Sequence, residues 1–94
     1  MKGEEFKAEG KYFCRCCGYN TLTEPHNGTY EICDICFWED DWYQNESPND
    51  EGGPNRVSLT QAKINFEEFG ACEHEMKELV RKPTERDIRA CYLQ

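Results

Sequence analysis

The 94-residue sequence predicts a small α+β fold, in which a β-hairpin carries two cysteine knuckles and two or three helices pack on it. Three observations predict it. Two C-x2-C pairs, Cys14/Cys17 and Cys33/Cys36, lie 15 residues apart. Between them, β-branched stretches flank an Asn-Gly turn signal. After Ser58, apolar residues recur at helical spacing up to Gly70.

The cysteines carry the chemistry. Two residues between paired cysteines let a tight knuckle aim both sulfurs at one point, and two facing knuckles supply the sulfur tetrahedron that zinc prefers. A gap of 15 residues sits at the short end of four-cysteine zinc spacings. Gly18 follows the first pair, where a knuckle often needs a positive φ. The expected ligands are therefore Cys14, Cys17, Cys33 and Cys36, in a zinc-ribbon-like hairpin. Iron is the competing metal, because a rubredoxin knuckle also reads C-x2-C-G-Y and tetrahedral sulfur fits either ion. Two disulfides are the non-metal alternative. Seven cysteines leave at least one unpaired, and a bridge within a C-x2-C pair strains its loop. The remaining thiols, Cys16, Cys72 and Cys91, read as small buried hydrophobes, with Cys16 a weaker ligand candidate.

Taken in order, residues 1–10 read as a loose polar arm, and Lys11–Phe13 as a short strand into the first knuckle. Thr21–Thr23 and Thr29–Ile32 form the expected hairpin arms, with His26 exposed in the turn. Phe37-Trp38-Glu39-Asp40-Asp41-Trp42-Tyr43 comes next. Phe37 and Trp38 are expected to cover the metal site. Glu39, Asp40 and Asp41 could converge in a loop beside Trp42 and Tyr43, which have the composition of an interface anchor. Residues 44–57 carry turn formers and read as a loop. Ser58 with Gln61 forms a capping box, and Leu59, Ala62, Phe66 and Phe69 form one apolar stripe that Gly70 ends. A second helix is expected over Glu73–Arg81, with Met76, Leu79 and Val80 inward and His74 exposed. Pro83 ends it, and Thr84 with Asp87 caps a final turn bearing Ile88 and Tyr92. The whole, 1–94, reads as a single domain: ribbon and acidic aromatic segment at 11–43, loop at 44–57, helical part at 58–92.

The formal net charge is −8. Residues 37–51 hold six acids and no Lys or Arg. Phosphate binding draws on Lys and Arg, so this charge argues against nucleic acid as a partner. No stretch is long and apolar enough to span a membrane. The N-terminus has no apolar run of the secretory kind, which points to a cytoplasmic, reducing setting.

Three stretches together, C-R-C-C-G-Y, Y-E-I-C-D-I-C-F-W-E-D-D and N-R-V-S-L-T-Q-A-K-I-N-F-E-E-F-G-A, resemble the bacterial cysteine-rich CPCC family over residues 12–72. Arg15 replaces the proline of the family's name motif, which removes a stiff residue but no ligand. The resemblance implies zinc binding. It also implies kinship with small bacterial proteins linked to toxin systems, some of whose acidic members act as immunity partners.

Three functions are consistent with these residues. The first is a metal-stapled interaction module that offers Glu39, Asp40, Asp41, Trp42 and Tyr43 to a basic protein, such as a toxin it inhibits. The second is a small enzyme using the Glu39/Asp40/Asp41 carboxylates, although no nucleophile–base constellation or phosphate-binding glycine loop accompanies them. The third is a rubredoxin-like electron carrier.

Overall fold

The structure, a computed structural model, describes residues 12–24 and 28–90. Lys11, the polar arm, His26, Cys91 and Tyr92 fall outside these residues, and with them the expectations placed there. Backbone pairing is sparse. Among the described residues it consists of isolated antiparallel bridges, Tyr12 with Leu22, Tyr19 with Arg89 and Ile32 with Glu39.

The expected ribbon hairpin therefore needs correction. Among the described residues no backbone bridge joins Thr21–Thr23 to Thr29–Ile32 as hairpin arms. Instead each knuckle closes on itself: Tyr12 pairs with Leu22 around the first, and Ile32 with Glu39 around the second. A side chain joins the two units, because the Glu31 carboxylate accepts from Thr23 N (2.9 Å) and from the Thr23 hydroxyl (2.8 Å). A knuckle turns the chain back within a few residues, so its own flanks are the nearest available strand partners.

Helix α1 spans Trp42–Glu46, inside the stretch expected to be segment and loop. Asp41 caps it, accepting from Gln44 N at 3.0 Å. Helix α2 spans Leu59–Phe69, as the periodicity predicts. Ser58 Oγ accepts from Gln61 N at 3.1 Å, while the Gln61 side chain turns to Asn65 instead of back to the cap. Gly70, at φ 87°, closes the helix by donating to the Phe66 carbonyl at 2.9 Å. Leu59 and Ala62 are buried among the cysteines and Phe66 packs against them, but Phe69 leaves the stripe and meets the His74 ring edge-on at 5.3 Å.

The second expected helix is a 3-10 segment over His74–Leu79. Met76 packs on the core, but Leu79 is 60% exposed. A 3-10 turn stacks side chains at i and i+3, so the inward face drawn at α-helical spacing does not form. In the final turn Asp87 accepts from Thr84 N at 2.7 Å, as expected, while Ile88 is exposed.

The C-terminal half holds both knuckles through backbone bonds. Ala90 N donates to Gly18 O (2.8 Å) and Asn20 N to Ile88 O (3.0 Å) at the first. Cys72 N donates to Cys36 O (2.7 Å) and Arg81 N to Asp34 O (2.9 Å) at the second. No helix among the described residues is long and apolar enough to cross a membrane.

Candidate metal centre

Cys14, Cys17, Cys33 and Cys36 come together with all four sulfurs within 4.8 Å of one another. Each is almost wholly buried. The closest approaches cross between knuckles: Cys14 to Cys36 and Cys17 to Cys33, each 3.6 Å. A disulfide would need about 2.05 Å. Zinc–sulfur bonds of about 2.3 Å set tetrahedral sulfurs roughly 3.8 Å apart. The spacing and the all-thiol donor set thus fit a tetrahedral metal, and no described cysteine is disulfide-bonded.

The two knuckles are built alike. Gly18 N donates to Cys14 O and Phe37 N to Cys33 O, while Cys14 N donates to Tyr19 O and Cys33 N to Trp38 O. These bonds curl each loop so that amides face sulfur. Cys16 N donates to Cys14 Sγ (3.3 Å), Ile35 N to Cys33 Sγ (3.4 Å) and Trp38 N to Cys36 Sγ (3.5 Å). The Thr21 hydroxyl adds a bond to Cys33 Sγ at 3.0 Å. Such donors stabilise thiolate charge around a metal.

Without a metal, the cluster shares its protons unevenly. Donation from Cys14 to Cys17 and Cys33, together with burial, holds the Cys14 thiol well above the ordinary thiol range. Burial is the main reason that Cys17 and Cys36 also rise. Burial opposes ionisation of Cys33 too, but bonds from the other three thiols and Thr21 outweigh it and bring Cys33 well below that range. Cys33 is thus the thiol of the four that gives up its proton most readily, and a bound dication would displace the protons of all its ligands.

Cys16 and Cys72 are buried beside the cluster, as small hydrophobes would be. Burial, reinforced by the nearby Glu73 carboxylate, pushes the Cys72 thiol up to about 12. Trp38 is buried among the cysteines, and Phe37 packs against them from the side. Arg15 ties the first knuckle to α1, reaching Asn45 O at 3.5 Å and the Glu46 carboxylate at 3.7 Å.

The arrangement over residues 12–87 matches one family model, described as Cysteine-rich CPCC. The chain belongs to the cysteine-rich CPCC family. The match runs past residue 72 and takes in the 3-10 segment and the Thr84–Asp87 turn that help hold the second knuckle. A comparison with curated proteins returned no match.

In this CPCC chain the three adjacent acids do not converge. Asp40 is 1% exposed. Its Oδ2 accepts from Gly28 N (3.1 Å), Thr29 N (3.0 Å) and the Thr29 hydroxyl (2.9 Å), and its Oδ1 from Asn45 Nδ2 (2.7 Å). That carboxylate faces inward, so it is withdrawn from the surface on which it was expected. Asp41 caps α1, and Glu39 is held by its backbone to Asn55. Trp42 and Tyr43 do point outward, 55% and 42% exposed, with Tyr43 donating to Asp50. Gly28, at φ 111°, lets Trp42 lie close, since a Cβ there would meet Trp42 Cβ at 3.3 Å.

Composition alone gave no hint of the amides that position these groups. Asn45 bridges Trp38 Nε1 (3.1 Å) to Asp40. Gln44, fully buried, accepts from Asn55 N and Nδ2 and donates to the carbonyls of Asp50, Asn55 and Val57. These bonds pin the 47–57 loop over the second knuckle. One sequence signal was available: Asp41 with Gln44 repeats the Ser58/Gln61 spacing of a helix start.

Proposed function

We propose that this CPCC protein is an interaction module whose fold is stapled by zinc and whose acidic, aromatic face docks a basic protein. The observation that carries this proposal is the exposure of Trp42 and Tyr43 on a helix capped by Asp41, in a stretch with no Lys or Arg whose acids, Asp40 apart, all reach the surface at least in part. Tyr30, 65% exposed, lies two residues after Gly28, which approaches Trp42 closely. Exposed aromatics ringed by charge are the usual anchors of an interface, and negative charge speeds capture of a cationic partner.

Zinc is favoured over iron by the short spacing between the pairs. The closed set of four buried sulfurs is the pattern of structural sites, since catalytic zinc keeps an open position. Inhibition of a basic toxin, as an immunity protein would do, is the sharper form of the proposal.

The test is affinity capture from host lysate with the metal-loaded chain and with a Trp42→Ala/Tyr43→Ala variant. The expected result is a basic protein that the wild type retains and the variant loses. Capture of nothing basic, or equal retention by both, refutes the docking face. Elemental analysis of the colourless chain should show one zinc, whereas a coloured, iron-bearing protein would favour electron transfer.

A further inference from the structure

A second site lies where α2 ends against the 3-10 segment. A groove of about 400 Å3 opens there, within the size range of small-molecule sites. Its apolar lining comes from Phe66, Phe69, Val80 and Pro83. Lys77, Arg81 and Lys82 complete the wall, and no carboxylate lines it.

The charge is the informative feature. The chain has a net charge of −8 and 11 Lys and Arg in all. Three of those cations meet at this one groove. Arg81 pairs with Asp34 at 2.8 Å and with Asp87 at 2.9 Å. Lys77 and Lys82 make no ion pair among the described residues. Two lysines with no ion pair among the described residues thus share this groove with Phe66 and Phe69, on a chain of net charge −8.

We propose that this groove binds a small aromatic anion, a flat apolar body bearing one carboxylate or sulfonate. The body would lie against Phe66, Phe69 and Val80, and the acid would face Lys77 and Lys82. Apolar contact supplies affinity and the lysines select charge. This site contains no cysteine, although its Phe66 also packs on the core around the sulfurs, and it has the opposite sign to the Trp42 face.

The probe is anilinonaphthalene sulfonate, titrated by fluorescence into the metal-loaded chain, with NMR amide shifts locating the bound dye. Saturable one-to-one binding is expected, with shifts centred on Phe66, Phe69 and Val80. Lys77→Glu/Lys82→Glu should weaken binding at least tenfold, as should sodium chloride near about 1 M, where screening is short-ranged. A nonfluorescent phenylpropionate should displace the dye. Both lysines are exposed, so near-ultraviolet circular dichroism should show an unchanged fold in the variant. Absence of saturable binding, shifts confined to other surfaces, or equal binding of a neutral phenylnaphthylamine each overturns the proposal.

Discussion

Gly18 and Phe37 occupy the same place in the two knuckles. Each follows the second cysteine of its pair, at φ 83° and 72°, and each donates to the carbonyl of the first cysteine, at 2.9 and 2.8 Å. Glycine adopts that backbone freely, whereas a phenylalanine there is strained. The ring is retained where it packs on the sulfur cluster.

That equivalence has an asymmetric consequence. Gly18→Ala should lose about 1–2 kcal/mol of stability, because the left-handed conformation penalises any Cβ. In Phe37→Gly, relief of the same strain opposes the lost ring contacts, so the net change should stay within about 1 kcal/mol. Urea melts of metal-loaded protein measure both. Equal losses in the two variants would mean that backbone strain is not what distinguishes the positions.

Cys33→Ser should abolish tight metal binding and unfold the chain, as should chelation of the wild type. A structural four-thiolate zinc is worth about 10–16 kcal/mol, comparable with the stability of a small domain. Cys16→Ser should keep one metal per chain. Native mass spectrometry reads the stoichiometry and circular dichroism the fold. A Cys16 variant that arrives without metal would contradict the four-residue ligand set.

Adjacent Asp40 and Asp41 should behave differently. Asp40→Ala leaves the buried amide of Asn45 and the part-buried donors of Gly28 and Thr29 without this acceptor and should cost about 3 kcal/mol. Asp41→Ala removes one helix cap and should cost about 1 kcal/mol. Denaturant titration separates them. If Asp41 proves the costlier change, the inward network is not what fixes this segment.

Acid should loosen the C-terminal tail. The Arg81 guanidinium, bonded to both Asp87 oxygens, holds that carboxyl well below the usual carboxylate range. A carboxyl depressed on folding contributes stability that is full above its unfolded value, about 4, and is lost as pH falls toward the folded one. Wild type should therefore melt above Asp87→Asn between pH 5 and 8, with the gap closing below about pH 4. The comparison is made over the pH range in which both proteins still carry their metal, since acid that reprotonates the thiolates would unfold both. A gap independent of pH would show that the pair carries no linked proton.

The sulfur quartet, the two ends of α2 and the negative charge were legible in the order of the residues alone. Those features rest on short-range rules, since knuckle spacing and helix caps act within a few residues. Long-range packing fixes which of three neighbouring acids faces inward, how each knuckle closes on its own flanks, and where three cations gather. Partners distant in the chain settle such matters: the Ile88 amide bonds Asn20 across 68 positions, and Asp40 takes its donors from residues 28, 29 and 45. A carboxylate can be buried only where donors replace its water, and adjacency in sequence does not say where those donors will be.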